Sequence, residues 1–118
     1  MRAKIIYPLQ VYKSENISDR EYKKLRRKLW FTPGKAHVYL IIRGLEGDEE
    51  PLFVVESGQL VNWIYDDQEL RLVGIAKSHE DALELVRVIY QDCLTENGNL
   101  DIINYLDHLK DYYLKYHG

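Results

Sequence analysis

The sequence predicts a single α+β domain over residues 1–118, with an antiparallel sheet of four or five strands and three helices in the order β-α-β-β-β-β-α-α. Three observations predict it. The chain has 118 residues, which is enough for one hydrophobic core and too few for two. Hydrophobic residues make up 46% of the chain, more than a disordered segment contains. Segments of alternating apolar and polar residues lie between segments with apolar residues at helical spacing.

The first predicted elements are a strand and a helix. Residues 4–12 alternate at strand period, and Pro8 cannot donate a ladder hydrogen bond, so we expect an edge strand or a bulge. Ser18 and Glu21 have the spacing of a capping box, which predicts a helix from Ser18 to about Phe31. The apolar stripe of this helix comprises Tyr22, Leu25 and Leu29.

Four further strands are predicted in the middle of the chain. They are Ala36–Arg43, Leu52–Glu56, Leu60–Tyr65 and Leu70–Lys77. Ser57-Gly58 is predicted to form a tight turn between the second and third of these strands. Because short turns join them, we expect an antiparallel meander.

Two helices complete the predicted fold. Ser78 and Asp81 open the first, and Asn97-Gly98 ends it as a C-cap. Asn99 is expected to cap the last helix, whose inward stripe comprises Ile102, Ile103, Leu106, Leu109 and Tyr113. Cys93 falls on the apolar stripe of the longer helix, so we expect a buried small side chain and not a reactive thiol.

Both faces of the predicted sheet carry large apolar side chains, although we expect the helices to cover only one. Either a helix lies on each face, or the second face is buried against a partner chain. A contiguous exposed apolar patch is uncommon on a monomer, and a two-fold axis buries one against itself. The sequence therefore predicts a homodimer, with the contact near Trp63, Tyr112, Tyr113 and Tyr116.

Charge is distributed unevenly along the chain. Residues 1–35 contain ten Lys and Arg against three Asp and Glu, whereas residues 36–118 contain six against 16. Such asymmetry is typical of a solvated helix face, and it also occurs where a protein contacts an anionic partner or an electrostatically complementary copy of itself. The candidate anion-binding residues are Arg20, Lys23, Lys24 and Arg27, which project away from the apolar stripe of their helix.

Nucleic-acid binding through the helix 18–31 is an alternative that the sequence does not favour. It requires stacking or base-edge groups beside the charges. Trp30 and Phe31 are nearby, but at the end of the helix we expect them to enter the core. The sequence pI of about 5.8 also weakens this alternative.

No motif for catalysis, metal binding or cofactor binding is present in the sequence, so we expect no cofactor and no metal, and an enzyme is not favoured. No apolar run is long enough to cross a membrane, and one Cys with no export signal favours a cytoplasmic protein. The leading hypothesis is a non-enzymatic protein-interaction module of a small bacterial-type protein, acting as a homo-oligomer or with another protein. A small-molecule or enzymatic pocket over the second sheet face is the other alternative.

Overall fold

A computed structural model describes residues 4–8, 10–44, 50–61 and 68–109, and it has the α+β composition and the three helices that the sequence predicts. The strands are β1 (Lys4–Ile6), β2 (Tyr12–Lys13), β3 (Tyr39–Arg43), β4 (Leu52–Glu56) and β5 (Glu69–Ala76). The helices are α1 (Asp19–Phe31), α2 (His79–Asn97) and α3 (Ile102–Asp107), and 3-10 helices span Pro33–Lys35 and Ser57–Val61.

The sheet is mixed, so the prediction of a wholly antiparallel sheet was wrong. Its strand order is β1-β5-β3-β4, with β2 also paired to β5. Strand β3 is antiparallel to both β4 and β5, whereas β1 and β2 run parallel to β5. The predicted meander was wrong for the same reason, since β5 pairs with β3 and lies between it and the N-terminal strands.

The predicted N-terminal strand is split into β1 and β2, which pair with different parts of β5. Ile6 is in register with Arg71, and Tyr12 with Gly74. The interruption surrounds Pro8, which lacks the backbone donor that a continuous ladder requires. Within the described residues both segments pair only with β5, which confirms the expected edge position.

The segment Ser57–Val61 forms a 3-10 helix, which corrects the predicted tight turn and the start of the predicted strand Leu60–Tyr65. Ser57 is fully buried; its N–H donates to the carbonyl of Val38 at 2.8 Å, and its Oγ accepts from the N–H of Val38 at 3.2 Å. These two bonds tie the segment to the residue before β3, and Leu60 enters the core. The remainder of that predicted strand, including Trp63, lies outside the described residues.

Helices cover both faces of the sheet, so the expectation that they cover only one was wrong. Leu25 and Leu29 of α1 pack in one cluster with Leu40 and Ile42 of β3. Ile41, which points to the opposite face, packs in a second cluster with α2 and α3. The uncovered face that motivated the predicted homodimer therefore carries helices. The candidate interface residues Trp63, Tyr112, Tyr113 and Tyr116 all lie outside the described residues.

Strand β5 does not alternate strictly, because its pairing with β3 shifts register between Ile41 and Ile42. Leu72 and Ile75, three residues apart, consequently enter the same cluster, whereas the sequence predicts them on opposite faces. Gly74 lies at this irregularity. A Cβ there would be 3.2 Å from the carbonyl oxygen of Tyr12 and 3.1 Å from Leu85 Cδ2, so glycine allows β2 and α2 to approach closely.

The predicted caps of the two longer helices are confirmed. Ser18 Oγ accepts from the N–H of Glu21 at 3.1 Å, and Ser78 Oγ from the N–H of Asp81 at 3.0 Å. Gly98 ends α2 in the left-handed conformation with φ 75°.

The cap predicted for α3 was wrong by two residues. Asp101 accepts from the N–H of Asn104 at 3.2 Å, while Asn99 accepts from the N–H of Asp101 at 3.0 Å. The predicted burial of Cys93 is confirmed: its thiol is inaccessible and contacts the carbonyl of Asn99, and burial raises its pKa. No helix of the described part of the chain is long and apolar enough to span a bilayer.

Candidate functional site

Helix α1 carries six basic residues and two acidic ones, and both carboxylates are engaged by cations from other elements. Asp19 contacts Lys13 of β2, and Glu21 contacts Lys77 at 2.8 Å. The contact with Lys13 holds the pKa of Asp19 below its usual range. Within the described residues, none of the basic side chains of α1 forms an ion pair; they are Arg20, Lys23, Lys24, Arg26, Arg27 and Lys28. Among the described residues the helix therefore presents a surface with more cations than carboxylates.

Trp30 and Phe31 are exposed, which corrects the expectation that they enter the core. Trp30 is 61% exposed and Phe31 67% exposed. The helical period explains the error: Leu25 and Leu29 direct the buried stripe of α1 inward, and the next two positions point away from it. The chain then continues into the 3-10 helix Pro33–Lys35, which leaves both aromatic side chains at the surface.

Three of the cations share one side of α1 with Trp30. Lys23, Arg26, Arg27 and Trp30 have the spacing i, i+3, i+4 and i+7, which places their side chains in one row. This row borders a cavity of about 550 Å³ between α1, β1 and the two 3-10 helices. We call it the α1 cleft; its lining comprises Ile5, Tyr7, Lys23, Arg26, Arg27, Leu29, Trp30, Phe31, Pro33 and Leu60.

Arg26 is held in the α1 cleft by aromatic rings. Its guanidinium carbon lies 4.1 Å from the centre of the Tyr7 ring and 6.0 Å from that of Tyr22. At 4.1 Å this is a cation–π contact. Burial raises the pKa of Tyr7, and the charge of Arg26 opposes that shift. The guanidinium N–H groups that Tyr7 does not engage are donors for an anion.

The four predicted anion-binding residues are all exposed, as their spacing predicts, but they divide between two surfaces. Lys23 and Arg27 line the α1 cleft. Arg20 and Lys24 lie with Lys28 on another side of the helix, around an open depression that we call the second basic surface.

Sequence reasoning missed Arg26 and Tyr7 as site residues. The spacing of Arg26 from Lys23 and Trp30 was a readable signal, because it places all three on one side of a helix. Tyr7 gave no such signal, since its position beneath Arg26 depends on the packing of α1 over β1.

Another ion pair of the described residues joins two elements of the fold. Arg43 of β3 pairs with Asp107 of α3 at 2.6 Å. A smaller cavity of about 200 Å³ adjoins this pair and is lined mainly by apolar side chains. Within the described residues, no three His, Cys, Asp or Glu side chains group as metal ligands would.

The α1 cleft can bind a ligand by charge and by aromatic contact. Its described lining holds three cations and three aromatic rings, and it includes no carboxylate, imidazole or thiol that could transfer a proton. Comparison with known proteins gives no matching family model, no similar curated protein and no similar solved structure.

Proposed function

We propose that this protein is a non-enzymatic binding module that holds an anionic partner in the α1 cleft. The observation that carries the proposal is the exposure of Trp30 and Phe31 beside Lys23, Arg26 and Arg27. A solvated basic face requires no large apolar side chains, and two adjacent aromatic residues that are each more than half exposed are costly to leave in water.

Electrostatics supports the same partner chemistry. The acidic side chains of α1, Asp19 and Glu21, are engaged by Lys13 and Lys77. Arg26, positioned by Tyr7, can present two N–H groups to one carboxylate, sulfate or phosphate.

Two triple variants of equal charge test the proposal. The cleft variant combines Lys23→Gln, Arg26→Gln and Arg27→Gln, and the control combines Arg20→Gln, Lys24→Gln and Lys28→Gln on the second basic surface. The probe is a fluorescein-labelled heparin oligosaccharide, followed by fluorescence anisotropy at low salt. We expect the cleft variant to weaken binding at least about tenfold and the control less than about threefold, since contacts and not net charge determine the loss.

Equal losses in the two variants, or no binding of any anionic probe by the unmodified protein, would contradict the proposal. Unfolding in urea is the accompanying control, and we expect both variants to stay within about 1 kcal/mol of the parent protein because all six side chains are exposed.

The homodimer stays a prediction. It was predicted because one face of the sheet was expected to be uncovered. Helices occupy both faces, which weakens the prediction. Light scattering at micromolar concentration tests it: twice the 14.0 kDa chain mass supports a dimer, and the chain mass alone contradicts it.

A further inference from the structure

We infer that the anionic partner is a single-stranded nucleic acid, with a base stacked on Trp30 or Phe31 and the neighbouring phosphates on Lys23, Arg26 and Arg27. This inference rests on the proposed function and names its ligand class. Single strands are bound by surfaces that combine a positive groove with aromatic rings on which bases stack, and the α1 cleft has both.

The aromatic side chains distinguish this ligand from an acidic peptide. Carboxylates of a peptide engage cations but do not stack on aromatic rings, whereas Trp30 and Phe31 are each more than half exposed. A nucleotide carries the anion and the flat ring in one unit. The spacing on α1 fits a nucleotide. Arg26 and Arg27, which would contact the phosphate, lie one turn before Trp30, which would contact the base, in the same row.

The shape of the site favours a single strand over a duplex. Bases of a duplex are stacked on each other, so their faces are inaccessible to Trp30 and Phe31, and a duplex is read through base edges in its grooves. The α1 cleft is instead a concave site of about 550 Å³, within the range of about 300–1,000 Å³ typical of pockets for small organic ligands. It therefore has room for an unstacked base.

The experiment compares ligands with equal phosphate number. Labelled oligo(dT) of about 12 nucleotides is titrated beside an abasic strand of the same length and a duplex of the same length. We expect oligo(dT) to bind at least about fivefold more tightly than the abasic strand, because stacking adds to the phosphate contacts. We expect the duplex to bind no more tightly than the abasic strand.

A pair of variants isolates the aromatic contribution. Trp30→Ala with Phe31→Ala should lower oligo(dT) affinity to that of the abasic strand while heparin binding and the salt dependence stay unchanged. Leu83→Ala with Leu94→Ala is the matched control, since it removes two exposed apolar side chains from α2 and should change nothing. The cleft variant, by contrast, should flatten the dependence of log affinity on log salt by up to about 2, or 0.7 for each lost phosphate contact.

The outcomes separate this inference from the proposed function. Equal binding of oligo(dT) and the abasic strand, with heparin binding intact, would overturn the inference and leave the proposed function standing. The same holds if a polyglutamate peptide of similar length binds more tightly than oligo(dT), which would identify an acidic protein as the partner. Failure of heparin, oligo(dT) and polyglutamate alike to bind would overturn both.

Discussion

The hydroxyl of Tyr12 donates a hydrogen bond of 2.8 Å to Oδ2 of Asp92, and so joins the short strand β2 to the helix α2. The same hydroxyl lies 2.7 Å from that of Tyr105 in α3. One phenol group therefore connects three elements. Strand β2 has only two residues, Tyr12 and Lys13, and its ladder with β5 is correspondingly short. We expect this side-chain contact to hold β2 against α2 and α3.

Replacing Tyr12 with Phe should lower the free energy of unfolding by about 1–2 kcal/mol. The carboxylate of Asp92 and the hydroxyl of Tyr105 each lose a hydrogen-bond partner at a site that is partly buried from solvent. Urea denaturation measures the change. Tyr39→Phe is the control: the hydroxyl of Tyr39 has no hydrogen-bond partner among the described residues, and we expect a change within about 0.5 kcal/mol. Equal effects of the two substitutions would argue against a structural role for the Tyr12 contact.

Stability should decline in alkaline solution. Burial, followed by the contacts with Tyr105 and Asp92, raises the pKa of Tyr12 above its ordinary value of 10.0, and burial also raises that of Tyr105. The unfolded chain then loses these protons at lower pH than the folded chain does. The tyrosines thus leave stability unchanged below pH 10 and reduce it as the pH rises toward their folded pKa. Absorbance at 295 nm with circular dichroism should show their ionisation coinciding with unfolding. Ionisation of all tyrosines while the fold persists would contradict this.

Gly74→Ala should destabilise the protein by about 1–3 kcal/mol, since the added methyl group meets the backbone oxygen of Tyr12, which cannot yield without separating β2 from β5. Gly34→Ala is the matched control, because no atom lies within 4 Å of the Cβ it adds. Thermal unfolding should place Gly34→Ala at or slightly above the parent protein and Gly74→Ala well below it. A neutral Gly74→Ala would mean that β2 does not approach β5 so closely.

Ser18→Ala and Ser78→Ala should each lower stability by about 0.5–2 kcal/mol, the usual loss when an N-cap side chain is removed. Thr32→Ala is the comparison, because Thr32 precedes a 3-10 helix and makes no capping hydrogen bond through its side chain. Ser→Asp at each cap should restore most of the stability. Equal denaturation midpoints for Ser18→Ala and Thr32→Ala would contradict the capping role of Ser18.

Local features of the fold could be predicted from the sequence. Residues within one turn determine the start of α1 at Ser18 and the end of α2 at Gly98, and both predictions are confirmed. Strand β4 is observed with the bounds that its short apolar run predicts. These signals depend only on neighbouring residues, so a single sequence contains them.

Features that depend on distant pairing could not be predicted. Strands β1 and β2 pair in parallel with β5, which follows them in sequence at a distance of more than half of the chain. The 3-10 helix Ser57–Val61 depends on the contact of Ser57 with Val38. At the candidate site the sequence predicts the exposed cations, but the α1 cleft exists only because α1 packs over β1 and brings Tyr7 beneath Arg26.

The position of β5 also bears on the synthesis of the chain. Among the described strands it is the last to leave the ribosome, and it pairs with β1 and β2 on one side and with β3 on the other. Until Glu69–Ala76 emerges, these earlier strands lack their shared neighbour, and the apolar edge of β3 can pair with other nascent chains. The described sheet is therefore complete only after β5 has been synthesised, and we expect a chain interrupted before Glu69 to expose this edge and to aggregate.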